Sequence, residues 1–385
     1  MVLRLPEHIR TQGVTPMNKM KAGIIGCGNI SGIYFKNLKE SPLVEVVACA
    51  DLVPERAQER ADEFNIANVY SVEELLAQPE IELIVNLTIP ASHANVDIAA
   101  LEWGKHVYSE KPLAITLEEG LRVLNLADKK GLRAGCAPDT FLGSTVQTAK
   151  AAIDSGLIGR PIAATAFNMG LGPEAWHLNP EFFYAPGGGP MMDMGPYYLA
   201  AMVELLGPAR RVSASAGIQI PDRTVGSGPN SGKPITVKTP THLAGTVDFE
   251  NGSILTMITS FDIFGGSGLP WMEIYGTHGT LNLTDPNYFN GDVKLSRMGS
   301  EEWELLKPVF ECGKNERGLG INDMVEAIAD NRDHRANARM AYHILEIMQS
   351  FQQSSLEGRH VVLQSTYRFG KLPAPLQTEM INNSI

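Results

Sequence analysis

The stretch "KAGIIGCGNISGIYFKNL", from Lys21 to Leu38, constrains the fold more than any other. Ala22 to Ile25 form a short apolar run, which predicts a strand buried on both faces. Gly26 and Gly28 follow at once, and helical apolar spacing then runs through Ile33, Phe35 and Leu38. A strand, a tight glycine turn and a helix let the backbone approach a pyrophosphate closely. The helix start then offers it free N–H groups and a partial positive charge. The third glycine position of this pattern is Ser31, with Gly32 one place later. A small residue suffices there, because that position serves helix–strand packing. A second apolar strand, Val44 to Ala50, ends in Asp51. An acidic residue about 20 positions past the glycines is placed to bind ribose hydroxyls. Asp51 also suits a cap for the helical pattern of Pro54 to Phe64. Its charge would repel a 2′-phosphate, so NAD is expected over NADP.

The alternation continues. "VYSVEELLAQ" predicts a short strand and a helix capped by Ser71, and "IELIVNLTIPASHANVDIAALEWG" a strand followed by a helix. "HVYSEKPLAITLEEGLRVLNLADKKG" adds a strand, a loop and a helix with Thr116 and Glu119 in capping-box positions, and "LRAGCAPDT" one more strand. Repeated βα units of this length predict an open, doubly wound parallel sheet with helices on both faces. Ligands of such sheets sit at the carboxyl ends of the strands, where Asp51, the "TIPASH" turn and "EKP" all fall. Lys111 lies just past a strand end, and Pro112 is a candidate cis peptide that would aim it. A solvent-facing Glu–Lys pair is the other reading of these residues.

The 385 residues suggest two domains, and a hydrophobic content of 44% suffices for two cores. A net charge of −11 with no basic run argues against nucleic acid and against a basic membrane-binding face. No stretch is apolar enough to span a bilayer, and the N-terminus lacks the apolar core of a secretory signal. Cys27, Cys49, Cys136 and Cys312 are scattered, so reduced thiols in a cytoplasmic protein are expected.

Together these stretches resemble the Gfo/Idh/MocA family of oxidoreductases. The resemblance rests on "GIIGCGNIS" (23–31), Asp51, "TIPASH" (88–93), "EKPL" (110–113), "PGGGPMMDMGPYYL" (186–199) and "EIYGTHGTLNL" (273–283). It implies an N-terminal Rossmann domain followed by an α+β domain with a large, open, mainly antiparallel sheet. It implies a carbohydrate or polyol substrate, and a homo-oligomer, dimer or tetramer, formed through the C-terminal sheet. The cofactor contacts then fall on Gly26, Gly28, Asn29, Ile30, Ser31, Asp51, Thr88, Pro90, His93, Glu110 and Lys111. Lys111 would lie near the nicotinamide and the reacting hydroxyl, and Asp193 matches the family's aspartate. The family's histidine is missing: Tyr197 stands at its place. Residues 1–20 read as an extension, 21–140 as the dinucleotide domain and 141–385 as the substrate domain.

The second half supports this division. "TVQTAKAAIDSGLIG" predicts a helix ending at Gly159, and "RPIAATAFNMG" opens a strand-rich region. Asn251-Gly252 joins two alternating runs as a hairpin. Residues 221–240 are rich in Gly and Pro and read as a long loop or irregular hairpin, a lid or a plain insertion. Two helices, from "GINDMVEAIADN" and "ARMAYHILEIMQSFQQSSLEG", close the chain and are expected to pack back onto the assembly.

Oxidising a carbinol moves a hydride to the nicotinamide and a proton to a base of suitable pKa. Lys111 is the leading candidate, its pKa lowered by burial and a cationic nicotinamide. Asp193 needs a partner, Lys111 or a substrate hydroxyl, unless it caps a helix starting near Gly195. Tyr197 could pass a proton if a cation lowered its pKa. His177, beside Trp176, could supply the missing acid/base, and His242 could line the site. No metal-ligand spacing is present. A redox-neutral glycosidase using NAD and a non-catalytic nucleotide-binding regulator are the alternatives.

Overall fold

The computed structural model describes residues 19–367. The expected extension, 1–20, lies outside them save for its last two residues, and Met20 already opens the first strand. Six strands form one parallel sheet: β1 (Met20–Ile25), β2 (Val44–Ala50), β3 (Asn68–Val69), β4 (Leu83–Asn86), β5 (His106–Ser109) and β6 (Ala134–Cys136), in the order β3-β2-β1-β4-β5-β6. The connecting helices are α1 (Ser31–Lys39), α2 (Pro54–Phe64), α3 (Val72–Ala77), α4 (His93–Glu102) and α5 (Leu117–Lys130). Ser71 and Thr116 cap α3 and α5 through reciprocal bonds with Glu74 and Glu119, as their spacing predicts. Strand order reverses between β1 and β4, the kind of switch point at whose carboxyl ends such sheets bind ligands.

A helix, α6 (Ser144–Asp154), leads to the second sheet and stops before the expected Gly159, because Ser155 and Gly156 turn the chain. That sheet contains β7 (Pro161–Met169), β8 (Ala209–Gly217), β11 (His242–Phe249), β12 (Ile254–Ser260), β13 (Met272–Gly276), β14 (Gly279–Leu283), β15 (Val293–Arg297), β16 (Glu304–Leu305) and β17 (Val361–Val362). Every pairing is antiparallel except β7 with β12. Asn251 and Gly252 turn the β11–β12 hairpin, Gly252 at φ 88°. Leu255 and Met257 pair with Ala164 and Ala166 on one buried face, which α7 (Gly189–Leu206) covers. On the other face Tyr275 Oη bonds Thr165 Oγ1 and donates to Glu273.

Residues 221–240 contain a short hairpin, β9 (Asp222–Thr224) with β10 (Pro234–Thr236). It is stapled down rather than poised as a lid. The Arg223 guanidinium, 2% exposed, pairs with the carboxylates of Glu174 and Asp262. Thr241 donates to the second oxygen of Asp262. A buried cation so fully bonded is costly to break, because removing one partner strands the other. The last helices, α8 (Leu319–Ala329) and α9 (Ala338–Glu357), return to the first domain. Cys136 N–H donates to Ala336 O, and α9 packs against β8, α7 and α5.

Candidate active site

The glycine turn divides its labour. Gly26 has φ 100°, and a Cβ there would lie 2.6 Å from the carbonyl carbon of Leu87 at the end of β4. Only glycine fits that crossing. At Gly28 an added Cβ would meet no atom of the described residues within 4 Å, its chain neighbours aside. Such open space at a glycine turn leaves room for the close approach of a pyrophosphate. Helix α1 has no side-chain cap and no carboxylate in its first turn, so its start is left for an anion. Asn29 is exposed here, and Ile30 is half-buried. Ser31 is buried and donates to Gly28 O, which suits a packing position.

Asp51 sits at the end of β2. One carboxylate oxygen accepts from Cys27 N–H at 2.7 Å and the other from Val53 N–H at 2.8 Å. The acid is thus locked beside the glycine turn, with lone pairs left for hydroxyls. Leu52, just past β2, and Ile89, just past β4, remain large, apolar and exposed; periodicity alone could not flag them. Thr88 is half-buried and donates to Asn86 Oδ1, and Pro90 opens a 3₁₀ turn at the rim. The donors, the open glycine and the anchored acid fit a dinucleotide.

His93 and Glu110 depart from the expected cofactor contact. The His93 ring is wholly buried, with Nδ1 2.7 Å from Pro112 O and Nε2 3.0 Å from Thr88 O. It braces the "TIPASH" turn against the "EKP" loop. Glu110 also turns inward, accepting from Tyr34 Oη at 2.8 Å and from Lys111 N–H.

Lys111 follows β5, and its peptide to Pro112 is cis. Its Nζ donates to Asp193 Oδ1 at 2.8 Å and Asp193 O at 2.7 Å. Asp193 is not a cap, since α7 begins at Gly189. It lies one turn inside, and Tyr197 lies one turn further along the same face. Lys111 Nζ stands 5.2 Å from the Tyr197 ring centroid. Pro196, within α7, lacks the N–H that would bond back toward Met192. A broken local rule beside a charged cluster is what a functional site produces.

The charges of the chain itself act on the protons of Lys111 and Tyr197. Burial presses the Lys111 ammonium toward neutrality, but Asp193, Tyr197 and Glu110 outweigh it, so its pKa is raised. Burial also raises the Tyr197 phenol, and the neighbouring cations Lys111 and Arg317 do not reverse it. Both groups therefore hold their protons near neutrality in this structure.

His177 does not join this cluster. Its Nδ1 accepts from Asn179 N–H, and its ring packs edge-on against Trp176, Phe182 and Phe183. His242 opens β11, with Nδ1 2.9 Å from Ser260 Oγ. Arg317 escaped the sequence reading: it comes from the loop before α8 and donates to the Tyr197 hydroxyl at 3.2 Å. No local motif surrounds it, so only the fold could bring it there.

Residues 20–137 match the family model for the NAD-binding Rossmann fold of Gfo/Idh/MocA oxidoreductases, and residues 146–282 match the model of that family's C-terminal domain. The chain belongs to this oxidoreductase family. It is 29% identical over 267 residues to 1,5-anhydro-D-fructose reductase of Ensifer adhaerens, covering 67% of this chain and 74% of that protein. It is 35% identical over 173 residues to inositol 2-dehydrogenase of Salmonella typhimurium, 43% of this chain and half of the relative. Levoglucosan dehydrogenase, solved with NADH and levoglucosan, superposes over 90% of this chain and all of its own, with a TM-score of 0.78 at 20% identity. That likeness shows the shared fold. Among the described residues no helix of this family member is long and apolar enough to cross a membrane.

Proposed function

We propose that this chain transfers a hydride between NAD and a ring carbon of a sugar, glycoside or cyclitol, interconverting CH–OH and C=O. The observation that carries the reading is Lys111 Nζ, fixed by Asp193 at the carboxyl end of β5 with Tyr197 one turn further along α7. Two relatives act on an anhydrosugar and a cyclitol by name, which supports the substrate class. Asp51 supports NAD over NADP, since a fixed carboxylate repels a 2′-phosphate. The nicotinamide supplies the hydride acceptor or donor; the chain supplies the proton and the geometry.

Lys111 commits two of its three N–H bonds to Asp193, which leaves one for substrate. Tyr197 offers its own O–H, which no described residue accepts. Two donors beside one another suit a single substrate oxygen. In reduction they hydrogen-bond the carbonyl and one gives it a proton. In oxidation the hydroxyl proton must leave, so whichever of the two took part as donor, Lys111 or Tyr197, must first be deprotonated.

Because the pKa values of Lys111 and Tyr197 are both raised, ketone reduction should stay flat across neutral pH, and oxidation should climb toward alkaline pH. A panel of sugars, glycosides, cyclitols and their ketones, run in both directions with NAD(H) and NADP(H), tests this. Turnover preferring NAD(H) is expected. Glycoside cleavage without net NADH, or no turnover at all, would contradict the reading.

A further inference from the structure

Arg317 is 8% exposed, yet among the described residues its guanidinium bonds only neutral acceptors. Nη1 donates to Asn315 Oδ1 at 2.8 Å, and Nη2 donates to Asn287 Oδ1 at 2.7 Å and to Tyr197 Oη at 3.2 Å. Its carbon centre also lies 5.9 Å from the Tyr197 ring centroid. Glu110 and Asp139 act on this charge through space, but the direct contact of the guanidinium outside its own loops is the Tyr197 oxygen.

The loop holding Arg317 is fixed from the first domain. Asn37 Nδ2, on α1, donates to the carbonyls of Asn315 and Arg317. Asp139, just past β6, accepts from the N–H groups of both Gly318 and Gly320 at 2.9 Å. Gly318 takes φ 105°, which permits the turn into α8. The guanidinium is thus presented rigidly to a tyrosine of the second domain.

We infer that Arg317 is a positioning residue: it occupies an acceptor site of the Tyr197 oxygen, so the phenol proton points to the substrate, and it favours the phenolate left after proton donation. This rests on the proposed hydride transfer and explains how tyrosine can stand where the family has histidine. A histidine ring has two nitrogens, one to be oriented and one to react. A phenol has one oxygen for both tasks, so it needs an outside donor to fix it. The charges facing that oxygen and its ring are Arg317, Lys111 and Glu110, with Asp193 on its own helix.

The test follows Tyr197 itself in Arg317→Met, Arg317→Lys and wild type. Tyrosines labelled with 13C at Cζ are titrated by NMR, and the Tyr197 signal is assigned by its loss in Tyr197→Phe. In Arg317→Met its titration should move up by about one pH unit or more, with Arg317→Lys between. An unmoved titration in either variant would overturn the inference. In the ketone assay, Arg317→Met should lower kcat about tenfold or more, with NADH binding unchanged. The same substitution placed in Tyr197→Phe should cost little further. An equal loss in both backgrounds means that Arg317 is a domain stitch only, and would also overturn it. A wild type that turns over nothing sinks the proposed function, while the titration still decides the role of Arg317.

Discussion

Asp139 shows at the scale of one residue how the site is held. It is 1% exposed, and burial raises its pKa to about 6 against the backbone bonds from Gly320 and Gly318 that lower it. An unfolded aspartate releases its proton near 3.9. The folded chain therefore binds the extra proton between about pH 4 and 6, so stability falls as pH rises through that window. Two pH units correspond to about 3 kcal/mol at most, complete above pH 6. Asp139→Asn keeps an acceptor for Gly318 and Gly320 and removes the charge. Its gain in urea stability over wild type should be larger at pH 7 than at pH 4.5. A gain no larger at pH 7 would show that the carboxylate is not desolvated as described.

The glycine turn is the element whose two glycines should behave differently. Gly26→Ala sets a side chain in the left-handed region, which costs about 1–2 kcal/mol for the dihedral alone, and drives it into the Leu87 backbone. It should lower the melting temperature and weaken NADH binding. Gly28→Ala meets open space and should leave the melting temperature within a degree or two while still weakening NADH. Calorimetry and a fluorescence titration separate them; equal melting losses would contradict the assignment. This element was legible from the sequence because its chemistry is local: strand, glycines, helix start and an acid at fixed spacing. Helix α7 was legible only in part. Asp193 and Tyr197 stood out among apolar neighbours, but the helix expected to start near Gly195 starts at Gly189.

At the scale of the molecule, what escaped the sequence is what distance in the chain conceals. Lys111 and Asp193 are 82 residues apart, and Tyr197 and Arg317 are 120 apart. Burial alone would make Lys111 lose its proton more readily, but the partners that the fold brings from distant segments outweigh burial. His93, His177 and Glu110 carry functional residue types but spend them on structure, bracing loops and an aromatic cluster. The 221–240 segment looked free by composition, and one arginine, Arg223, between two acids holds it. The central claim is that Lys111 serves the hydride-transfer step rather than the binding of the dinucleotide. Rapid mixing of NADH-loaded Lys111→Met with a ketone that the wild type reduces tests this most directly. NADH should bind as in wild type while its single-turnover oxidation slows about 10²–10⁴-fold. Oxidation at the wild-type rate, or a loss wholly explained by weaker NADH binding, would contradict the claim.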